Sequence, residues 1–339
     1  AKVFTPIPEA WSNFDFNFSR APIFYPLNNL TIEKGNFTSA KFYGNADFAE
    51  VIFIEKADFS GAGFTQETSF KDATFAQEAS FKGATFTHNA DFEGATFTQE
   101  ASFKDATFTQ NVFFNGATFT QNVYFLGTIF AQDAYFSETT FTQDTYFLDA
   151  TFTLIADFTK ATFTQKVYSS RVVFPKQVYF VEATFAQDVY FVGATFSQNA
   201  SFNGASFIQK AGFSGATFAQ EAFFFGATFT QDADFNGATF TQDADFNGAT
   251  FTQDADFSSA IFTQEADFRW TTFTKEVNFS NATFSQNADF GAALFENYVP
   301  TFVSGNLRAQ FSIHSAQEDY NFFSLHSNSK TIPPGEAEL

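Results

Sequence analysis

Histidines and carboxylates are the residues of this 339-residue chain that could catalyse a reaction or bind a metal. The three histidines, His88, His314 and His326, lack the spacing of a metal site or a catalytic triad. Carboxylates are numerous, but pairs such as Asp232 and Asp234 recur at the chain's regular interval and so indicate no particular chemistry. The sequence contains no glycine-rich phosphate loop and no nucleophile elbow. We therefore expect a protein that is not an enzyme.

Acidic residues also form two series at intervals of 22 or 11 residues. The first series is Asp232, Asp254 and Glu276, and the second is Glu221, Asp243 and Glu265. Like charges that stack on one another repel, and a divalent cation with oxygen ligands would relieve that repulsion. Calcium is therefore the one cofactor that the sequence suggests. The alternative is a solvated acidic edge that keeps the protein soluble.

The elements that position these residues follow from a series of Phe residues between Phe37 and Phe295. Spacings of five and six alternate through 48 positions, of which 47 are Phe and one is Ser169. A period of eleven without insertion predicts a solenoid. One unit, residues 233–243, reads Ala-Asp-Phe-Asn-Gly-Ala-Thr-Phe-Thr-Gln-Asp. Ala and Phe stand two apart, so a strand directs both inward and the residue between them outward.

Two units together predict one coil of a β-solenoid. An eleven-residue coil would be too narrow for two Phe rings, whereas 22 residues form four sides with one ring each. About 12 such coils would stack at the spacing of paired strands. Spacings of five and six fit a helix badly, because they place successive Phe on opposite sides of it.

These pentads resemble the pentapeptide-repeat family, whose unit is Ala-(Asp/Asn)-(Leu/Phe)-x-x. Residues 90–94 and 95–99 are examples, and the match extends over nearly all of residues 35–295. The resemblance implies an all-β fold, a right-handed quadrilateral β-helix. Two features depart from the family: the uniform use of Phe, and an additional residue after every second pentad, which must form a bulge or lie at a corner. Examples of the additional residue are Glu78, Glu100, Asp144, Asp232 and Asp254.

The position before the first Phe of each unit points outward and is usually Asp or Ser. Between residues 113 and 190 it becomes aromatic at Phe113, Tyr124, Tyr135, Tyr146, Tyr168, Tyr179 and Tyr190. With 22 residues per coil, Tyr124, Tyr146, Tyr168 and Tyr190 should form one ladder, and the remaining aromatic residues should lie on the opposite side. An apolar patch on a polar surface indicates an interface. The alternative is that cross-strand aromatic pairs only stabilise the sheets.

The repeat is interrupted at one place and absent at both ends. Ser169 removes a ring, and the next unit carries Val172 and Pro175, which predicts a local bend or bulge. Residues 1–34 and 296–339 should cap the solenoid of residues 35–295, or dock onto another molecule's open coil. The N-terminal docking candidates are Trp11, Phe14, Phe16 and Phe18.

Composition restricts the partners and the setting. A net charge of −20 disfavours direct binding to nucleic acid, and no segment is long and apolar enough for a membrane helix. The chain has no Cys and begins without Met, so we expect a processed protein at the cell surface or outside the cell.

Three functions remain open from the sequence. The leading hypothesis is a structural solenoid that associates with itself, through its ends or its Tyr patch, into a filament, sheath or surface layer. An alternative is a DNA mimic that binds a type II topoisomerase, as some pentapeptide-repeat proteins do. A third is ice binding through Thr-x-Thr pairs such as Thr96 with Thr98 and Thr239 with Thr241, whose spacing permits a lattice match.

Overall fold

The computed structural model describes residues 15–24, 30–169, 172–298 and 300–301. The chain divides into two compact units, Ala1–Leu154 and Ile155–Leu339. Within the described residues each unit consists of short strands, turns and bends and contains no helix.

Unit 1 contains 25 strands, most of them two residues long. They are β1 (Asp15–Asn17), β2 (Pro22–Ile23), β3 (Thr31–Ile32), β4 (Lys34–Asn36), β5 (Lys41–Phe42), β6 (Ala46–Asp47), β7 (Ile52–Phe53), β8 (Ala57–Asp58), β9 (Gly63–Phe64), β10 (Thr68–Ser69), β11 (Thr74–Phe75), β12 (Ala79–Ser80), β13 (Thr85–Phe86), β14 (Ala90–Asp91), β15 (Thr96–Phe97), β16 (Ala101–Ser102), β17 (Thr107–Phe108), β18 (Val112–Phe113), β19 (Thr118–Phe119), β20 (Val123–Tyr124), β21 (Ile129–Phe130), β22 (Ala134–Tyr135), β23 (Thr140–Phe141), β24 (Thr145–Tyr146) and β25 (Thr151–Phe152).

Unit 2 contains 26 strands of the same kind. They are β26 (Ala156–Asp157), β27 (Thr162–Phe163), β28 (Val167–Tyr168), β29 (Val173–Phe174), β30 (Val178–Tyr179), β31 (Thr184–Phe185), β32 (Val189–Tyr190), β33 (Thr195–Phe196), β34 (Ala200–Ser201), β35 (Ser206–Phe207), β36 (Ala211–Gly212), β37 (Thr217–Phe218), β38 (Ala222–Phe223), β39 (Thr228–Phe229), β40 (Ala233–Asp234), β41 (Thr239–Phe240), β42 (Ala244–Asp245), β43 (Thr250–Phe251), β44 (Ala255–Asp256), β45 (Ile261–Phe262), β46 (Ala266–Asp267), β47 (Thr272–Phe273), β48 (Val277–Asn278), β49 (Thr283–Phe284), β50 (Ala288–Asp289) and β51 (Leu294–Phe295).

Every coil has four faces, because strands four apart in chain order pair in parallel. In unit 1 the first face runs β4-β8-β12-β16-β20-β24, and the second runs β5-β9-β13-β17-β21-β25. The third face runs β6-β10-β14-β18-β22, and the fourth runs β7-β11-β15-β19-β23. The strands β1, β2 and β3 extend the first, second and fourth faces at the N-terminal edge.

Unit 2 is built in the same way. Its first face runs β28-β32-β36-β40-β44-β48, and its second runs β29-β33-β37-β41-β45-β49. Its third face runs β26-β30-β34-β38-β42-β46-β50, and its fourth runs β27-β31-β35-β39-β43-β47-β51.

The register of both units is 22 residues, as in the pairs Ala79 with Ala101 and Thr239 with Ile261. The two units together hold about 12 turns, so the predicted all-β, four-sided solenoid is confirmed. The predicted boundaries at residues 34 and 295 stay a prediction. Residues 15–17, 22–23 and 31–32 already pair with the regular coils, as an N-terminal cap would.

Phe rings fill the interior in a fixed pattern. Phe235 stacks on Phe257 of the following coil at 4.8 Å with 4° between the rings. It also meets Phe246, eleven residues on, edge to face at 5.4 Å and 89°. Both arrangements suit the ring quadrupole, and each adds about 0.5–1.5 kcal/mol beyond burial. The Ala residues beside the rings are buried, because only a small side chain fits between ring and corner.

Two kinds of corner join the faces. After the first Phe of a unit the chain makes a type II turn, in which Ala95 N–H donates to Phe92 O at 3.1 Å and Gly94 has a φ of 66°. After the second Phe the corner is wider and lacks such a turn. There Thr98 donates both its N–H and its Oγ1 to Phe75 O of the preceding coil, at 2.9 and 3.0 Å. The doubled bond fixes the corner without a turn.

The additional residue of each unit lies at this wide corner. Asp254 Oδ1 accepts the N–H of Glu276 at 3.2 Å, and Asp243 Oδ1 accepts the N–H of Glu265 at the same distance. The carboxylate therefore satisfies a main-chain donor of the following coil that would otherwise need water. This is why a short acceptor, Asp or Asn, recurs at the position.

The interruption at Ser169 is accommodated by polar contacts. Ser169 is buried, and its Oγ donates to Tyr190 O at 3.3 Å. Val172 is buried in place of the usual Ala, and Pro175 is half-buried at a position where other coils donate an N–H. The strands β28 and β29 on either side keep their usual length. The predicted bend or bulge falls on residues 170–171, which lie outside the described residues.

Three buried Thr residues at Ala positions, Thr128, Thr139 and Thr271, donate to main-chain oxygens, whereas Thr145 does not. Thr139 Oγ1 donates to Phe114 O at 2.7 Å. Thr145 is 0% exposed, and its Oγ1 has no hydrogen-bond partner in the described part of the chain. A buried hydroxyl without a partner costs about 1–3 kcal/mol.

We predict that Thr145→Val stabilises the protein by about 1 kcal/mol, because it removes that cost and keeps the shape. Val123 already occupies the paired position one coil before. The matched control, Thr139→Val, loses a satisfied hydrogen bond and should destabilise by about 1 kcal/mol. Urea unfolding followed by circular dichroism measures both changes, and two changes of equal sign would contradict the assignment.

Candidate interaction surfaces

The outward position before the first Phe normally shapes the neighbouring turn. Asp245 Oδ1 accepts the N–H of Asn247 at 2.8 Å, and Asp256 Oδ1 accepts the N–H of Ser258 at 2.8 Å. Asp, Asn and Ser are favoured there because their short side chains reach the main chain two residues on. An aromatic residue gives up this bond, so an aromatic run at this position indicates a different use of the surface.

In unit 1 the aromatic residues form two short ladders. Tyr124 stacks on Tyr146 at 5.1 Å on the first face, and Phe113 stacks on Tyr135 at 5.2 Å on the third face. The third face follows two corners after the first, so the ladders lie on opposite sides of the same coils, as expected. All four rings are half-buried. Ring faces point along the stack, and ring edges point to solvent.

The tyrosine hydroxyls of unit 1 bind the row of additional residues. Tyr135 donates to Asp133 Oδ2 at 3.1 Å, and Tyr146 donates to Asp144 Oδ2 at 3.3 Å. On the third face the turn bond that Asp would supply is replaced, because Asn115 Oδ1 accepts the N–H of Ser137 at 3.1 Å. The ladders are therefore integrated into the hydrogen bonding of the coil.

In unit 2 the aromatic residues are more separated. Tyr168 and Tyr190 are paired in register on the first face, and Tyr179 lies on the third face beside Ser201. Tyr190 is 37% exposed, and a Cβ added to Gly212 would lie 2.9 Å from its Cδ1, so the ring covers this glycine. Burial, with the hydrogen bond to Asp188, raises the pKa of the Tyr190 hydroxyl. The predicted four-residue ladder is described as one stacked pair in unit 1 and one registered pair in unit 2.

The acidic rows of unit 2 also lie on two faces. Asp234 pairs in register with Asp256, and Asp245 pairs with Asp267. Burial raises the pKa of the Asp245 carboxyl, and the charge of Asp267 raises it further. For Asp267 itself burial would raise the pKa, but hydrogen bonds from Arg269 and Asn247 lower it overall. Arg269 Nη2 lies 2.6 Å from Asp267 Oδ2.

No group of three or more metal-ligating side chains is found among the described residues. Calcium at the acidic series stays a prediction. The described part of the chain also contains no helix that could span a membrane.

The Thr-x-Thr rows present fewer free hydroxyls than the sequence suggests. The second Thr of each pair donates its Oγ1 inward, as Thr98 does to Phe75 O and Thr241 does to Phe218 O at 3.1 Å. Ala76, Ala131, Ala186 and Ala219 interrupt the rows. A regular array of outward hydroxyls, which ice binding would need, is therefore reduced to the first Thr of each pair.

The N-terminal docking candidates are only partly described. Trp11 and Phe14 lie outside the described residues, and only the backbone of Phe16 is described, in β1. Phe18 is half-buried and stacks on Phe37 at 5.5 Å, so it continues the interior ring stack at this edge. We therefore assign Phe18 to the core rather than to a docking surface.

Trp270 is an exposed residue that the sequence patterns did not single out. Its φ is 57° at the turn position where many coils have Gly, and it is 68% exposed. A left-handed backbone costs a non-glycine residue about 1–2 kcal/mol. The signal was available in the sequence, because Trp stands where the aligned units carry Gly or a polar residue.

We predict opposite pH effects for two neighbouring carboxylates of unit 2. The raised folded pKa of Asp245 means that its ionised form costs stability, a cost that is removed as pH falls through that pKa towards 3.8. Asp245→Asn should therefore raise the unfolding midpoint at neutral pH and have no such effect in acid. The Asn keeps the turn acceptor, as Asn278 does for Ser280 at 2.9 Å.

The matched control is Asp267→Asn. Its lowered folded pKa means that the ionised form stabilises the protein above 3.8, and that this is lost as pH falls through the folded pKa. Asp267→Asn should lower the midpoint at neutral pH, and the difference should fade in acid. Denaturant unfolding across the pH range measures both, and equal shifts for the two variants would refute the assignment.

Comparison with known proteins agrees with this geometry. A family model described as Pentapeptide repeats (9 copies) matches residues 28–74, 49–96, 81–129, 92–140, 125–168, 170–217, 202–250 and 246–294. No curated protein matches the chain. Among solved structures, a trypsin-treated form of QnrB1, described as a plasmid-mediated fluoroquinolone resistance protein, is 14% identical with a TM-score of 0.24. That match covers 70% of this chain and 90% of QnrB1. Because the repeat model matches most of its length, this chain belongs to the pentapeptide-repeat family.

Proposed function

We propose that this chain is a non-enzymatic structural protein that associates with itself by continuing its β-sheets from one copy to the next. A pentapeptide-repeat solenoid is a scaffold, in which side chains at fixed intervals serve the coil itself. The carboxylates that might have formed a site accept main-chain hydrogen bonds within the repeat. This leaves the ends and the outward aromatic residues as the surfaces that act on other molecules.

The observation that carries the proposal is the C-terminal edge of unit 2. Among the described residues, β49, β50 and β51 are the last strands of their sheets. The first face continues only through an isolated bridge between Asn278 and Thr301. A parallel sheet edge of this kind is a template for another strand.

The terminal rings support the same reading. Phe284, Phe290 and Phe295 stack on the preceding coil at 4.8, 4.9 and 5.2 Å, like rings in the middle of the unit. Phe290 is half-buried, whereas the other repeat Phe residues of the described chain are buried. A second copy that adds its coil at 22-residue register would cover this ring and complete the ring stack. Such head-to-tail contact does not close, so it produces a filament.

We predict that the purified chain forms particles larger than a monomer, and that Phe290→Lys reduces them to monomer. A charge at the inward position of the last coil would be buried by the next copy without a partner. Ser285→Lys adds the same charge at an exposed position and should assemble normally. Sedimentation velocity with electron microscopy measures the outcome. A wild-type chain that stays monomeric at high concentration would exclude the proposal.

An acidic DNA mimic that binds a type II topoisomerase is the second candidate. It is favoured by residues 211–268 of unit 2, which contain nine carboxylates and no Lys, Arg or His. A protein surface that grips DNA is basic and would attract such a stretch.

A supercoiling assay tests this candidate. A DNA mimic should inhibit the enzyme at micromolar concentration, and Asp234→Asn with Asp256→Asn should weaken the inhibition because two of the displayed charges are lost. An unchanged supercoiling rate in the presence of the wild-type chain would exclude it. Export from the cytoplasm stays a prediction, and ice binding is disfavoured by the inward Thr hydroxyls.

A further inference from the structure

Residues 105–154 of unit 1 are unusual in both charge and surface. They contain five carboxylates, Asp105, Asp133, Glu138, Asp144 and Asp149, and no Lys, Arg or His. Elsewhere in the chain Lys lies 22 residues before a carboxylate and pairs with it, as Lys71 does with Glu93 at 3.0 Å and Lys56 with Glu78 at 3.1 Å. Within residues 105–154 the sequence offers no basic side chain for such a pair.

The same coils carry an apolar strip on the first face of unit 1. We define the tyrosine strip as Tyr124, Leu126, Tyr146 and Leu148. All four side chains are half-buried, and the two Tyr rings stack at 5.1 Å, which leaves their edges at the surface. Leu126 and Leu148 stand at the first turn position, where Lys82 and Lys104 stand in the two coils before.

A row of polar residues borders the tyrosine strip on its other side. Tyr124 donates to Glu100 Oε1 at 3.4 Å, and Tyr146 donates to Asp144 Oδ2 at 3.3 Å. Asn122 lies between them in the row, and its Nδ2 is 3.3 Å from Tyr124 Oη. Each carboxylate has more acceptor sites than these bonds occupy. The strip is therefore an apolar ridge beside a line of negative charge.

We propose that the tyrosine strip and its carboxylate row bind an extended polypeptide segment rich in Arg or Lys. The methylene stems of such side chains pack on Tyr and Leu, while their charged ends reach Glu100 and Asp144. A straight row of coils about 4.8 Å apart suits an extended segment better than a helix. Charge complementarity selects a cationic partner, since the chain carries −20 overall and this stretch contains no basic residue.

Unit 2 supplies a comparison surface with similar charge and no aromatic strip. Asp232 and Asp254 occupy the same row position on the first face of unit 2 as Glu100 and Asp144 do in unit 1. The outward residues beside them are Asp234 and Asp256 instead of Tyr. Simple attraction to negative charge would favour this surface, whereas the proposed site requires the strip.

The test uses a fluorescent peptide of alternating Arg and Thr and measures its binding to the full chain by anisotropy. Binding should weaken about tenfold between low and high salt, since exposed charges are screened. A peptide with Gln in place of Arg should not bind. Phe290→Lys should leave the affinity unchanged, so that loss of self-association and loss of peptide binding are separate results.

Variants locate the site. Tyr124→Ser with Tyr146→Ser should weaken binding about tenfold, and Ser occupies the same position at Ser80 and Ser102. Glu100→Gln with Asp144→Asn keeps acceptors for the Tyr hydroxyls and should weaken binding about fivefold. Asp232→Asn with Asp254→Asn removes as many charges from unit 2 and should change binding less than twofold.

Two outcomes would overturn the proposal. Equal loss in both charge variants would show attraction to net charge without a site. Binding that survives the tyrosine substitutions would show that the strip takes no part. Thermal unfolding of each variant separates loss of binding from loss of folding.

Discussion

Stacking of Phe rings at the spacing of paired strands is the interaction on which the structure depends. A ring that lies 4.6–5.0 Å above its equivalent, as Phe229 does with Phe251 and Phe246 with Phe268, can do so only if every coil has the same length. One inserted residue would move all later rings out of the stack. The unbroken alternation of five and six is therefore a geometric requirement of the core.

The polar parts of the repeat follow from the same requirement. Four corners in every 22 residues leave main-chain donors that ordinary sheets would satisfy, and the repeat supplies an acceptor for each kind of corner. Asp245 closes its own turn, Thr98 doubles the bond at the wide corner, and Asp254 serves the coil above. Most of the polar sequence thus has a structural role, which is why few of its residues are available for chemistry.

What remains for function is the small set of positions that depart from these roles. The aromatic residues of unit 1 give up the turn acceptor, and their stretch of chain also lacks every basic residue. The last coil of unit 2 ends its described sheets without a covering coil on three faces. The first departure supports binding along the side of the solenoid, and the second supports addition of further copies at its end.

The sequence alone determined the fold, the four-sided coil, its 22-residue register and the identity of the buried rings, because a strict period leaves one way to bury every Phe. It also placed Tyr124 and Tyr146 on one side and Phe113 and Tyr135 on the other. Only the tertiary structure revealed that Thr98 and Asp254 are engaged with neighbouring coils, that Phe18 belongs to the core, and that Thr145 is buried without a partner. These facts depend on which atoms of adjacent coils meet, and residues 22 positions apart meet at distances that a periodic pattern does not specify.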